Sequence, residues 1–292
     1  MNSFAHQVAM QPAPDPRVDS SIGGLLLESG KITPEDAERV LRMQKELGIR
    51  FGEAAQRLGL VTTADIDQAI ARQFDYPYLQ PGEGKLSDKL VAAYQPFSVQ
   101  VEALRALRSQ LMLRWFARGH RSLVVVGAQS GDGTSMFVAN LAVAFSQLGE
   151  NTLLVDANLR EPRQHEIFDL GSSPGLSEIL SGRAGLEAIR KIDSLVSLSV
   201  LGAGTVPPNP QELLSRTNFA QFNEDVGRLY DVVLYDGAAL SLGSDAVSVA
   251  MRAQGVVLVT RKNHTRLEEI NRVTDQLMHS GAQVLGAVMV EF

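Results

Sequence analysis

The chain has 292 residues, 45% of them hydrophobic, with 27 basic against 33 acidic residues and a formal net charge of −6. This argues for about two domains with a real core and against a dedicated nucleic-acid binder, so no nucleic-acid partner is expected. The absence of cysteine excludes disulfides and cysteine-based metal sites, no apolar run approaches the roughly 18 residues of a membrane span, and the start lacks a cationic-then-apolar leader, so a cytoplasmic protein with no span of its own is expected.

Residues 1–18 carry Gln, Pro and Asp with little apolar content and are predicted to be a disordered tail. Residues 19–80 read as a helical repeat module with a period of 29. Ile22-Gly23 answers Phe51-Gly52, Ser29-Gly30-Lys31-Ile32-Thr33 answers Leu58-Gly59-Leu60-Val61-Thr62, Asp36 answers Asp65, and Gln44 answers Gln73. Each copy predicts a short helix, a Gly turn and a second helix capped by Thr33 or Thr62, with Pro34 at a first helical position and an acid three residues after the cap. Residues 81–97 read as a linker with one short helix, and 96–118 as a cationic amphipathic helix containing Glu102, Arg105 and Arg108. Trp115 and Phe116, near its end, are expected to pack against the sheet.

From Leu123 apolar strands alternate with helices. Strands are predicted at 122–127, 152–156, 196–201, 231–235, 255–260 and 283–290. The pattern predicts an α/β fold, a P-loop doubly wound, mostly parallel sheet over 98–292, with a small helical N-terminal domain.

The chemistry gathers at strand ends. Leu123 to Asn140 reads LVVVGAQSGDGTSMFVAN, a strand feeding a glycine-rich loop and then a helix. Backbone N–H groups of such a loop close around phosphate at a helix N-terminus. Gly131, Asp132, Gly133, Thr134 and Ser135 are the candidate phosphate cradle, with the Ser135 hydroxyl a candidate Mg²⁺ ligand; a glycine-rich β–α turn without a ligand is the plainer alternative. Two further strands end in acids, Asp156 and Asp236. Ligands of open α/β sheets bind beyond the carboxyl ends of strands. Asp156 could then serve as a base or hold a metal-bound water, and Asp236 fits a Walker B carboxylate that positions Mg²⁺. Arg160 stands four residues after Asp156. His165, beside Arg163 and Gln164, reads as a surface residue, while Arg261-Lys262-Asn263-His264 follows a strand and is a candidate lining for a base pocket.

Three segments carry a family resemblance: Glu102-x2-Arg105-x2-Arg108, Asp156-Ala157-Asn158-Leu159-Arg160, and Pro207-Pro208-Asn209-Pro210-Gln211-Glu212-Leu213-Leu214. Together they resemble the bacterial protein-tyrosine kinases of polysaccharide synthesis, the tyrosine autokinases associated with exopolysaccharide chain-length determinants. The resemblance covers about 98–292, and the PPNP-x-ELL segment is its most specific part. It implies a P-loop fold related to partitioning-type ATPases, ATP and Mg²⁺ as cofactors, transfer of the γ-phosphate to tyrosine, and Asp156 and Arg160 in catalytic roles. It also implies a homo-oligomeric ring with Glu102, Arg105 and Arg108 at the interface, where the residues alone also allow a solvated helix face. The implied partner is a membrane chain-length-determinant protein that brings the chain to the inner face of the membrane. A partitioning ATPase is the weaker reading, because PPNP-x-ELL does not belong there.

The chain departs from the family pattern. The P-loop lysine is Thr134, the second acid of DxDxR is Asn158, and the D-x-P-P after Walker B is Asp236-Gly237-Ala238-Ala239. The family's tyrosine-rich tail has no counterpart, the last tyrosine being Tyr235. A lost lysine–phosphate bond costs about 1.5–3 kcal/mol in binding. Arg160, Lys262 or a neighbour's Arg105 or Arg108 are the candidates to supply that charge. Two expectations stand side by side: a tyrosine kinase with a degenerate Walker A, and a pseudokinase scaffold or nucleotide switch without phosphotransfer.

The N-terminal repeat, through Arg50-Phe51-Gly52, Gly59 and Gln73, is similar to the N-terminal domain of type II secretion ATPases. That resemblance implies cyclic di-GMP binding at Arg50, Gly52 and Gln73, beside a plain helical docking module. The first copy has Ser21 where the second has Arg50.

Overall fold

The structure, a computed structural model, describes residues 21–74, 79 and 85–291. The tail expected over 1–18 and the first part of the expected linker, 81–84, lie outside the described residues. The chain divides into two compact units, Met1–Tyr76 and Pro77–Phe292.

In the first unit the repeat folds as two helical hairpins, α1 (Ile22–Glu28) with α2 (Pro34–Leu47), and α3 (Phe51–Arg57) with α4 (Thr63–Gln73). The second helix of each hairpin begins with a reciprocal capping box. Thr33 accepts from the Asp36 N–H while Asp36 accepts from the Thr33 N–H, and Thr62 and Asp65 do the same. α1 packs on α4 and α2 on α3, so each copy covers the apolar face of the other. Leu26, Ile32, Val40, Ala54, Ala55, Val61 and Ala69 form the shared core. Lys31 and Asp65 join the copies by an ion pair at 2.8 Å. Gly52 is buried, and a Cβ there would stand 3.2 Å from the Ile66 side chain. Its task in this unit is close helix packing, whereas Arg50 and Gln73 are exposed.

The second unit holds α5 (Val91–Tyr94), α6 (Val99–Arg114), β1 (Ser122–Gly127), α7 (Thr134–Ser146), β2 (Thr152–Asp156), α8 (Gln164–Ile167) and α9 (Leu176–Leu180). It continues through β3 (Arg190–Lys191), β4 (Leu198–Leu201), α10 (Pro210–Ser215), α11 (Thr217–Leu229), β5 (Val232–Asp236), α12 (Asp245–Ala253), β6 (Gly255–Arg261), α13 (Leu267–His279) and β7 (Gln283–Val290). The seven strands form one sheet in the order β3-β4-β2-β5-β1-β6-β7. Every pairing is parallel except that of the two-residue strand β3 with β4. β3 is exposed and two residues long, too short to show as a strand pattern in the sequence.

The strand interiors are buried throughout β1, β2, β4 and β5, as expected when helices cover both faces. One core joins Leu123 and Val125 of β1 and Leu234 of β5 to α5, α6 and α7; the other joins Val124, Val126, Val233 and Tyr235 to α9 through α13. Alternate residues of each strand thus serve opposite faces. The stretch read as a linker is described from Lys85, and there it belongs to the second unit. Leu90, Ala92, Ala93 and Tyr94 are buried, and the buried Asn140 of α7 accepts from the Ala92 N–H at 2.9 Å. The apolar run in 90–94 is what docks it. Trp115 and Phe116 are buried, and the Trp115 indole N–H donates to the Ser122 carbonyl at the start of β1.

Candidate nucleotide-binding site

β1 ends at Gly127, and the loop to α7 turns through Gly131 (φ +87°) and Gly133 (φ +79°), left-handed positions that favour glycine. Gly133 caps α7, and having no side chain it makes no side-chain cap hydrogen bond to the helix's first N–H groups. The N-terminal N–H groups of a 13-residue helix therefore face the loop's concavity, the geometry that favours an anion. The loop is braced from within and from α13. Asp132 is buried and accepts from the Gln129 N–H at 2.9 Å and from the Thr265 hydroxyl at 3.2 Å; Gln129 donates to Glu269 of α13 at 2.8 Å. Asp132 is thus a loop brace as well as a member of the expected cradle.

Asp156 and Asp236 end adjacent parallel strands in matched register, so both carboxylates leave the sheet on the same side beside the P-loop helix. Each is fully buried. Burial, and then the Asp236 charge, hold the Asp156 carboxyl well above the usual carboxylate range; burial likewise pushes Asp236 up. Three backbone N–H groups oppose this at Asp156: those of Arg163 and Gln164 donate to Oδ2 at 2.9 Å, and that of Asn158 to Oδ1 at 3.2 Å. The Ser135 hydroxyl and Gln164 work against this rise at Asp236, whose Oδ2 accepts from Gln164 Nε2 at 2.8 Å. Its Oδ1 is buried with no partner.

Gln164 carried no functional signal in the sequence, where it sits inconspicuously before His165. In the fold it is fully buried at the start of α8. Its amide also donates to the Ser135 carbonyl at 3.0 Å. Reversing the amide would set its oxygen against two acceptors, so the geometry fixes its orientation.

Two of the candidate positive charges, Arg160 and Lys262, are held in ion pairs. Arg160 makes a two-pronged ion pair with the buried Asp245 at the start of α12, Nε to Oδ2 at 2.5 Å and Nη2 to Oδ1 at 3.1 Å. Lys262 pairs with Glu291 at 2.9 Å, and Asn263 beside it adopts a left-handed backbone (φ +58°). Thr134 opens α7, and a Cβ at Gly127 would stand 2.6 Å from its Oγ1, so the hydroxyl is folded back over the loop's start. Asn158 uses both ends of its amide to close the turn to Glu161, accepting its N–H at 3.1 Å and donating to its carbonyl at 3.0 Å. Glu161 in turn accepts from the Ser130 hydroxyl of the P-loop at 2.5 Å. An aspartate at 158 has no N–H for that carbonyl, so the departure from a second acid has a local structural reason. Glu161 is the other residue that the motif reading missed, because its contact with Ser130 spans a fold-dependent gap.

On α6 the three motif residues are divided. Glu102 is exposed, Arg105 is half-buried and pairs with it at 3.3 Å, and Arg108 donates inward to the Ala144 carbonyl of α7 at 2.7 Å. The PPNP segment leads into α10 with Pro210 at its first position; Pro210, Leu213 and Leu214 are buried, and α10 packs on α9 and α12.

No protein-family model matches the chain. The chain is 31% identical over 205 residues to the tyrosine-protein kinase YwqD of Bacillus subtilis, an alignment spanning 70% of this chain and 86% of that protein. Its fold matches the kinase domain of the Escherichia coli tyrosine kinase ETK with a TM-score of 0.69 at 30% identity, over 73% of this chain and 83% of that one. It also matches the chimerical protein CapA2B2 with a TM-score of 0.65 at 30% identity, over 76% and 97% of the two chains. Shared fold and shared sequence over about 70% of the chain agree with the motifs read above: the chain belongs to the bacterial tyrosine-protein kinase family.

Proposed function

We propose that this chain binds ATP with Mg²⁺ at the P-loop and transfers the γ-phosphoryl group to protein tyrosine within a polysaccharide synthesis and export system. It would work as a homo-oligomer beside a membrane chain-length-determinant protein that holds it at the inner face of the membrane. The observation that best supports the site is the buried pair Asp156 and Asp236 beside Ser135, with Asp236 Oδ1 left without a partner. A buried carboxylate oxygen without a donor is costly unless a ligand completes it. Among the described residues no three acidic or histidine side chains form a metal cage. That suits Mg²⁺, which is usually held by one or two carboxylates together with substrate phosphates.

In this reading the N–H groups of Gly131 to Ser135 hold the phosphates, and Ser135 and Asp236 hold the metal. When bound, Mg²⁺ supplies neutralisation of the charge that builds on the transferring group. Asp156 retains acceptor capacity on Oδ1, which takes a single backbone donor, and its raised pKa suits a group that receives a proton from a tyrosine hydroxyl or orders a metal-bound water. Glu102, Arg105 and Arg108 remain the proposed contact to a neighbouring subunit. Tyr94 and Tyr235 are buried, the latter donating to Asn223 at 2.8 Å, so neither serves as the phosphate acceptor in the folded chain.

A second reading, a nucleotide switch or scaffold without phosphotransfer, draws on one observation: Thr134 occupies the lysine position while Arg160 and Lys262 are bound in ion pairs. Incubation with ATP, Mg²⁺ and the cytosolic tail of the membrane partner, followed by phosphotyrosine detection, separates the two. Signal from the wild type supports the kinase. Silence from the wild type with signal from Thr134→Lys removes the enzyme reading and leaves the switch.

A further inference from the structure

Gln164 touches two of the three P-loop elements with its side chain while its backbone serves the third. Its backbone N–H donates to Asp156 at the end of β2, and its side chain donates to Asp236 at the end of β5 and to the Ser135 carbonyl in the first turn of α7. Two buried atoms are left over, Gln164 Oε1 and Asp236 Oδ1. A purely structural bracket gains nothing from leaving both without partners, since buried polar atoms in native proteins are almost always satisfied. They are free on the two groups that already bond to each other. The donor occupies Oδ2, which leaves Oδ1 as the oxygen open to a ligand and fixes the rotation of the carboxylate. Outer groups of this kind orient metal ligands, and their loss costs 10- to 100-fold in metal affinity.

We propose that Gln164 is a positioning residue for the divalent cation: it locks the Asp236 carboxylate with Oδ1 free and offers Oε1 as an acceptor for a hydrogen of the cation's bound water. The inference rests on the reading of Asp236 as a metal ligand. It assigns no bond-making step to Gln164, which acts through Asp236.

The test uses the full chain and Mn²⁺ as the probe, followed by its electron paramagnetic resonance signal in the presence of ADP. Gln164→Met keeps the length and removes both donors and the acceptor; Gln164→Glu keeps the length and an oxygen but loses the donors. The expected result is a 10- to 100-fold weaker Mn²⁺ affinity in both, with ADP affinity in EDTA unchanged from wild type. A structural defect would weaken ADP in EDTA as well. Asp236→Asn is the reference for complete loss of the metal. Mn²⁺ affinity within twofold of wild type in either folded variant, with Asp236→Asn still lost, overturns the role of Gln164 alone. Failure of both variants to fold overturns it too, because the residue is then a structural staple first. No Mn²⁺ binding by the wild type overturns the metal site itself.

Discussion

Asp156 and Asp236 are register partners on adjacent parallel strands, both fully buried, with Gln164 bonded to each. Two carboxylates so placed repel one another and resist ionisation, which a fold tolerates where a cation is meant to enter. Under the metal-binding role proposed for this pair, function and stability are opposed at this point.

Asp236→Asn should expose that opposition. It removes one buried charge and keeps an oxygen for Ser135 and Gln164. The metal-free protein is expected to gain about 1–3 kcal/mol at pH 7 while losing its response to Mg²⁺. The sign in pH follows from the raised pKa. The folded state holds the Asp236 proton up to about 6, whereas the unfolded state releases it near 4. Between those values the folded state binds more protons, so rising pH lowers stability in that window. Thermal melts in EDTA at pH 5 and pH 7 should show this slope in the wild type and a smaller one in Asp236→Asn. Equal slopes would count against the buried pair as its source.

Thr134→Lys tests the gap in the P-loop. The Thr134 side chain folds back over the loop's start, while Arg160 and Lys262 are engaged with Asp245 and Glu291. A lysine reaching the phosphates should add about 1.5–3 kcal/mol of charge-assisted hydrogen bonding, roughly a 10- to 150-fold gain in ATP affinity. Calorimetry with a non-hydrolysable ATP analogue reads it directly. An unchanged affinity would mean that the loop's backbone does not present phosphate at that position.

The sheet was legible because buried parallel strands leave continuous apolar runs. Val232 to Tyr235 and Gly255 to Thr260 stand within a residue or two of where the pattern put them. The helical repeat was legible because Thr33 and Thr62 announce their capping boxes locally. Asp156 and Asp236 could be picked out as strand-end acids, but not their shared register, which depends on strand order. Gln164, Glu161 and Asp245 were illegible for a related reason. Their partners lie 72, 31 and 85 residues away in sequence, and a lone polar residue in a loop carries no period. The same gap hid the engagement of Arg160 with Asp245.

Arg160→Ala should accordingly act on stability before it acts on chemistry. It would strand the buried Asp245 carboxylate, a loss of about 1–3 kcal/mol, below that of a fully buried pair because the arginine is partly exposed. Removing both partners in Arg160→Ala/Asp245→Ala should recover much of that loss, since the stranded charge is then gone. Urea unfolding of the single and double variants gives the coupling. Full stability in Arg160→Ala would free the arginine for a direct role at the phosphates.

The first unit offers a prediction independent of the nucleotide site. Hydrogen bonds from Lys31 and from the Thr62 hydroxyl and N–H hold the Asp65 carboxyl at about 2. Because this folded-state value lies below the unfolded one, the contribution is fully present above about 4 and is lost as pH falls toward 2. Thr62→Ala removes the cap and should cost about 1 kcal/mol at pH 7. That corresponds to roughly fivefold faster hydrogen exchange of the α4 amides if they open locally. Lys31→Met should weaken the same helix by less, since the pair is partly exposed and screened by salt. Thr33→Ala is the control in the other copy: it should loosen α2 and leave α4 largely unchanged, because each capping box closes within its own helix. Equal loosening of both helices by either substitution would instead show that the two hairpins open as one unit, with the shared core around Leu26 and Val40 setting their stability.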